Sequence, residues 1–282
     1  MNALRRVISW SLLLLFPLPA FAADAQLSVF RATALPAGPT DAAWQHVTAT
    51  RVPLLPQDMV EPRQLQVTTP EVFVRAISDG TNVAFLLEWP DATVDDMAKP
   101  AQFTDACAVQ LPAAAAADVP APQMGEAGKR VEITYWRAAW QAMVDGRPDT
   151  VAALYPGASI DHYPFEAAPL QTDPAAQQEM AKRYAPARAA GNEMAGPRDR
   201  SVEDLIADGP GSLTRAENQR STGSGKRTAT GWAAMLVRVL PEAMAAGNRS
   251  QVAFAIWDGS RGEVGARKMR SAWVPIAVEG KP

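Results

Sequence analysis

Two runs of apolar and β-branched residues, Val72 to Ile77 and Val83 to Trp89, flank the short stretch Ser78-Asp79-Gly80-Thr81-Asn82. This predicts a β-hairpin, because two strand-type arms meet around a glycine-containing turn. In the second arm Val83, Phe85, Leu87 and Trp89 recur at period two and share one face. Strand-type patterns return at Ala106 to Leu111, with Cys107, Val109 and Leu111 on one face, and at Val131 to Trp136. They return again at Trp232 to Leu240, stopped by Pro241, at Gln251 to Trp257, left through Asp258-Gly259, and at Ser271 to Val278. At least seven strands without an alternating β-α rhythm predict a mainly β chain. The expected architecture is an antiparallel β-sandwich rather than a parallel α/β sheet.

Between the β-rich halves, residues 145–230 are rich in Gly, Pro, Ala and charge and read as a helical and loop insertion. Pro174 to Arg188 is expected to be a short helix. Ser201-Val202-Glu203-Asp204 reads as a capped helix start, with an acid three residues after the Ser, and Asp208-Gly209-Pro210-Gly211 ends it. Arg220 to Thr230 reads as a polar loop, and the alanines of Pro112 to Pro122 as a surface loop. At the start of the chain, Arg5-Arg6, the apolar run Val7 to Phe16 and Ala20-Phe21-Ala22 form the pattern of a secretory signal peptide over 1–22. Pro17 and Pro19 interrupt a run already too short to span a membrane. The working protein is then expected to be one exported domain, residues 23–282, with no stable membrane insertion once the signal is cut.

Removing Arg5 and Arg6 leaves 25 basic residues against 30 acidic ones. A mildly acidic chain is a poor match for nucleic acid, which is bound by basic surface. A single cysteine, Cys107, excludes intrachain disulfides and four-cysteine metal sites, and no C-x-x-C-H stretch exists for covalent haem attachment. Two histidines, His46 and His162, are the only imidazoles. Metal chemistry in this chain therefore needs less common ligands.

Hydrolase signatures are absent: there is no G-x-S-x-G elbow and no H-E-x-x-H helix. Asp91, Asp95 and Asp96 could bind calcium through hard oxygen ligands, though a solvated acidic loop gives the same pattern. Gly262 to Gly265 with Arg261, Arg267 and Arg270 could hold an anion or be a hairpin connection. Cys107 reads as a small core residue. Met124, after Pro120 and Pro122, and Lys268, before Ser271-Ala272-Trp273, carry no signal taken singly. Lys268 is one of only six lysines beyond the signal segment. A rival reading is a carbohydrate-binding-like sandwich without haem, using Trp44, Trp140 and Trp257 as exposed aromatic platforms.

The order of these pieces resembles the haem b-binding gamma subunits of periplasmic molybdenum enzymes, the ethylbenzene dehydrogenase-related family. Its relatives serve dimethylsulfide dehydrogenase, selenate reductase and chlorate reductase. The resemblance runs through Asp105-Ala106-Cys107-Ala108-Val109-Gln110-Leu111-Pro112, Met124-Gly125 and Val131-Glu132-Ile133-Thr134-Tyr135-Trp136-Arg137-Ala138. It continues in Ala190-Gly191-Asn192, Thr230-Gly231-Trp232 with Arg238, Ala253 to Gly259, and Gly265-Ala266-Arg267-Lys268 leading to Ser271-Ala272-Trp273. The resemblance implies a β-sandwich holding one non-covalent haem b, with Met124 and Lys268 as axial ligands to the iron. Trp136, Trp232, Trp257 and Trp273 would be available as walls, and Arg137 or Arg238 for the propionates. It implies a non-catalytic, periplasmic electron-transfer subunit. The partners would be an iron–sulfur (beta) subunit, a molybdopterin catalytic (alpha) subunit and a soluble c-type cytochrome.

Overall fold

The computed structural model describes residues 26–114, 119–158, 164–192, 195–245 and 249–279. The segment read as a signal peptide and His162 lie outside these residues, as do residues 115–118 of the alanine-rich loop. Fourteen strands are formed among the described residues. They are β1 (Leu27–Arg31), β2 (Thr50–Pro53), β3 (Leu55–Pro56), β4 (Glu71–Ser78), β5 (Asn82–Pro90), β6 (Ala106–Pro112) and β7 (Val131–Arg137). After a helical stretch come β8 (Val202–Ala207), β9 (Thr214–Arg215), β10 (Thr222–Arg227), β11 (Gly231–Val239), β12 (Ser250–Trp257), β13 (Met269–Arg270) and β14 (Val274–Val278).

The expected hairpin is β4–β5, paired from Phe73↔Glu88 to Ser78↔Val83. Its turn is closed by Asp79, whose carboxylate accepts hydrogen bonds from the backbone N–H groups of Thr81 (2.8 Å) and Asn82 (2.7 Å). The main path of strands runs β10-β11-β5-β4-β1-β14-β12-β6-β7-β8-β9. All pairings are antiparallel except those of β1, which is parallel to both β4 and β14. β12 is the corner. Ser250 to Val252 pair with β14, while Ala253 to Trp257 pair with β6. The sheet thereby folds over into two facing layers, the sandwich expected of the pattern.

The inter-layer core follows the period-two faces. Val83, Phe85, Leu87 and Trp89 from one layer meet Cys107, Val109, Leu111, Phe254 and Ile256 from the other. Phe85 and Phe254 pack edge to face at 6.4 Å, and Trp136 does so with Trp89 at 6.2 Å and Trp232 at 5.3 Å. Each such buried large side chain contributes on the order of 1.5–3 kcal/mol. Trp136 and Trp232 therefore serve the core.

Two expectations for the middle segment are corrected. Ser201 to Asp204 does not open a helix: Val202–Ala207 is strand β8, paired with β7 from Val131↔Ala207 to Trp136↔Val202. The Ser201 hydroxyl donates instead to Gly223 O at 2.8 Å. Glu203 is buried against Arg215 (2.9 Å) and Arg198 (3.7 Å), and Asp204 accepts from Ser221 N at 2.8 Å. Tertiary partners thus claim the acids that would have capped a helix. Arg220 to Thr230 is likewise not a loop throughout, because Thr222–Arg227 pairs with β11 as strand β10. Glycine makes this possible, since a Cβ on Gly225 would lie 2.2 Å from the Trp136 ring. Its N–H donates to Gln141 Oε1 at 2.8 Å, the same oxygen that accepts from Trp136 Nε1. Helix is confined to the earlier part of the segment, with Pro174–Tyr184 and Pro186–Ala189 covering the expected one.

Candidate functional site

The second layer turns alternate residues outward. On β6 these are Ala106, Ala108 and Gln110; on β12, Ala253, Ala255 and Trp257; on β7, Val131, Ile133 and Tyr135. The register sets Ala108 beside Ala255 and Gln110 beside Ala253. Short side chains at adjacent positions leave a floor, and Ile133, Tyr135 and Trp257 rise from it as walls. The result is a cavity of ≈ 440 Å³, inside the range of about 300–1,000 Å³ usual for small-molecule and cofactor sites. Pro62 and Val60, Pro122 and Met124, Pro210 and Leu213, and Gly265, Ala266 and Lys268 close its rim.

Met124 and Lys268 enter this cavity from loops far apart in the chain. Met124 has a left-handed backbone, φ 70°, uncommon for any residue but Gly. Its surroundings hold it there. Gly125 N donates to Ala121 O, and Gly209 N to Met124 O, both at 2.9 Å. Gln110 Nε2 donates to Pro122 O at 3.0 Å and Trp273 Nε1 to Pro120 O at 2.6 Å. Gly125 is also left-handed, and a Cβ there would lie 2.8 Å from Lys129 O.

On the other side, β13 resolves the basic run by period two. Met269 is inside the inter-layer core, while Lys268 and Arg270 face the cavity. Gln57 braces this turn, accepting nothing from it but donating Nε2 to Ala266 O at 3.0 Å and N–H to Lys268 O at 3.0 Å. Lys268 Nζ lies 5.0 Å above the Trp257 ring. Burial, and secondarily the charge of Arg270, push its pKa down to about 8. Among the described residues it has no ion-pair partner. Arg270 Nε is buried without a hydrogen-bond partner among the described residues. Tyr135, stacked edge to face against Trp140 (5.5 Å) and Trp257 (5.2 Å), is pushed up to about 12 by burial.

The other sequence candidates separate. Of the four tryptophans offered as walls, Trp257 lines the cavity. Trp273 braces the Met124 loop from outside it. Neither Arg137 nor Arg238 reaches the cavity: Arg137 sits on Trp140 and Thr104, and Arg238 pairs with Glu132. Arg270, read only as part of a basic loop, is the guanidinium that does. Trp44, Trp140 and Trp257 are buried, so they form no exposed sugar platform. Asp91, Asp95 and Asp96 do not form one site: Asp96 is drawn off to Arg147 at 2.9 Å, while Asp91 and Asp95 flank the Thr93 hydroxyl at 3.2 and 2.6 Å. His46 is exposed at the end of a 3₁₀ turn, and Cys107 is buried, its thiol pKa pushed up by desolvation. The alternating alanines of Ala106-Cys107-Ala108 and Ala253-Phe254-Ala255 were the sequence signal for the cavity floor.

The ethylbenzene dehydrogenase family model matches residues 41–269. The chain is 24% identical over 245 residues to the candidate respiratory nitrate reductase heme subunit ORF7 of Haloferax mediterranei, spanning 84% of this chain and 67% of that protein. Among solved structures, the family 9 carbohydrate-binding module of Caldicellulosiruptor kristjanssonii in complex with glucose aligns over 91% of this chain and 97% of its own, at TM-score 0.40 and 10% identity. The same module with cellotriose aligns over 91% and 95%, again at TM-score 0.40 and 10% identity.

Proposed function

Since the chain belongs to the ethylbenzene dehydrogenase family, we propose that it is the haem-binding electron-transfer subunit of a molybdenum oxidoreductase complex, with Met124 and Lys268 as the axial ligands. The observation that carries this reading is their convergence on one apolar cavity. The cavity also fits the cofactor chemically. Trp257, Ile133 and the alanine floor offer apolar faces to a macrocycle. The Met124 thioether is a soft, neutral ligand suited to ferrous iron. An amine must shed its proton to bind a metal, and the desolvated surroundings of Lys268 lower the cost of doing so. The buried, unpartnered Nε of Arg270 is a donor waiting for an anion, and a propionate supplies one.

Bound there, haem b would store and release one electron. Met124 and Lys268 would both ligate the iron and leave no position for substrate, which favours electron transfer over substrate chemistry. The ORF7 relative is named as a heme subunit of a respiratory nitrate reductase, consistent with this role. In the same reading the protein is exported to the periplasm by the segment 1–22, and electrons pass between an iron–sulfur subunit and an external c-type cytochrome. Among the described residues no helix is long and apolar enough to cross a membrane.

The test is optical. Haem-reconstituted protein should give a low-spin, six-coordinate b-type spectrum that shifts on reduction. Met124→Ala and Lys268→Ala should each convert it to a high-spin form or move its potential. A folded protein that takes up no haem would overturn the cofactor, and unaltered spectra in both variants would overturn the ligands.

A further inference from the structure

A second polar centre lies at the ends of three strands and plays no part in the cavity. Asp91 follows β5, Asp105 precedes β6, and Asp258 follows β12. The pairing Ala106↔Trp257 sets Asp105 and Asp258 side by side, and the hairpin arm β5 delivers Asp91 from the opposite layer. Each residue offers a carboxylate oxygen, and these oxygens all lie within 4.8 Å of one another. Asp105 is fully buried, Asp91 is 8% exposed, and Asp258 is half-buried at the solvent side.

Most of the oxygens are oriented by donors. Asp105 Oδ2 accepts from Trp232 Nε1 and Asp95 N, and its Oδ1 from Gly259 N, all at 2.9 Å. Asp91 Oδ1 accepts from Thr93 N at 2.9 Å, and the Thr93 hydroxyl lies 3.2 Å from it and 2.6 Å from Asp95 Oδ2. Asp258 Oδ1 accepts from Ser260 Oγ at 2.7 Å and Arg261 N at 3.3 Å. Asp91 Oδ2 is the exception, buried with no hydrogen-bond partner among the described residues. Two cations stand beside the trio, and the charge of Arg227 offsets part of the rise at Asp91. Arg227 spends Nη2 on the main-chain oxygen of Asp91 at 2.6 Å. Arg261 is largely exposed, its Nε 4.0 Å from Asp258 Oδ2. Three clustered carboxylates, desolvated and mutually repelling, favour either protons or a bound cation. Burial and the neighbouring charge raise Asp91 and carry Asp105 up to about 7.

We propose that Asp91, Asp105 and Asp258 form a binding site for a divalent cation of the calcium type, with the unpartnered Asp91 Oδ2 as one of its ligands. Hard cations take carboxylate oxygens, and calcium tolerates irregular geometry and completes its shell with water. The half-buried Asp258 leaves a wet side for that water. The ion staples β5 of one layer to β6 and β12 of the other, beside Trp257 of the cavity wall. It does not depend on the haem reading.

The experiment uses the full chain, stripped with chelator and titrated with calcium chloride, followed by calorimetry and thermal unfolding. Native protein should bind one calcium per chain, and saturating calcium should raise its Tm by about 5 °C. Asp91→Asn keeps the Asp105 hydrogen bonds and should weaken binding by at least about tenfold. Asp258→Asn, on the solvent side, should do the same and serves if the first variant fails to fold. Terbium bound in calcium's place should luminesce on tryptophan excitation, with Trp232 hydrogen-bonded to a ligand, and calcium should quench it by displacement. Folded native protein that shows no binding heat and no Tm change at millimolar calcium overturns the proposal. So does a folded Asp91→Asn or Asp258→Asn protein that binds calcium as tightly as the native chain.

Discussion

The two layers of the sandwich have outward faces of similar apolar make-up and opposite fates. On the first layer Ile77, Ala84, Leu86, Ala233 and Met235 lie under the segment that precedes β2, with Trp44 and Val47 packed on them and Leu35 and Ala43 beside. That cover is pinned: Asp41 accepts from Ala37 N and Ala43 N, and Trp44 Nε1 donates to Gly38 O at 2.9 Å. On the second layer the alanines of β6 and β12 meet loops that stop at the rim and leave the space above them hollow. Protein interiors pack like crystals, so a hollow of this size forgoes stabilisation. One apolar face is closed by packing, and the other is left hollow.

Matched substitutions on the two faces should break or sharpen that contrast. The largest effect is expected from Trp44→Ala, which empties a filled site and should cost about 3–5 kcal/mol in denaturant unfolding of the haem-free chain. Trp257→Ala should cost less, about 3 kcal/mol, because its ring lines the cavity as well as packing on Tyr135, yet it should loosen haem. Equal losses at the two sites would remove the distinction between the faces. Next in size is an alanine pair. Ala84→Leu should overpack the closed face at a cost of about 1–3 kcal/mol. Ala108→Leu should cost less than about 1 kcal/mol while lowering haem uptake in titrations. Haem uptake unimpaired in folded Ala108→Leu would mean the guest lies elsewhere. The smallest change in fold stability belongs to Arg270→Gln, about 0.5 kcal/mol, since its buried Nε bonds nothing among the described residues and only the charge of Asp58 acts on it. Haem release, timed by transfer to a scavenger such as apomyoglobin, should nonetheless quicken about tenfold, the loss of a charged hydrogen bond. An unchanged release rate would place the propionates away from Arg270.

The contrast also shows where reading the sequence succeeds. Strands β4 to β7, β11, β12 and β14 lie where apolar alternation puts them, because a half-buried strand must alternate whatever it faces. β8 and β10 were missed for a common reason. Ser201 with an acid three residues later is a helix cap only if no tertiary donor claims the acid, and Ser221 N, Arg215 and Arg198 do. Gly223 and Gly225 look like loop residues until Trp136 is seen to lie against the second of them. The trio at the strand ends left a fainter trace. Asp91, Asp105 and Asp258 each adjoin a strand terminus, but only the β6–β12 register and the fold-over of the layers bring them together. Asp96, close to Asp91 in sequence, turns away to Arg147, while Asp95 stays beside the trio with its N–H on Asp105 Oδ2.

The sequence by itself determined the class of fold, because period-two apolar runs without helical crossovers have few other ways to bury themselves. Through the order of its motifs it also pointed to Met124 and Lys268, and the resemblance supplied their expected role. Tertiary structure decided which outward face is closed and which is hollow, since that depends on where loops remote in the chain come to rest. It also decided that Lys268 and Arg270 face the cavity while Met269 fills the core: the pairing of β13 with β12 and β3 sets that phase, and a one-residue slip would have reversed it.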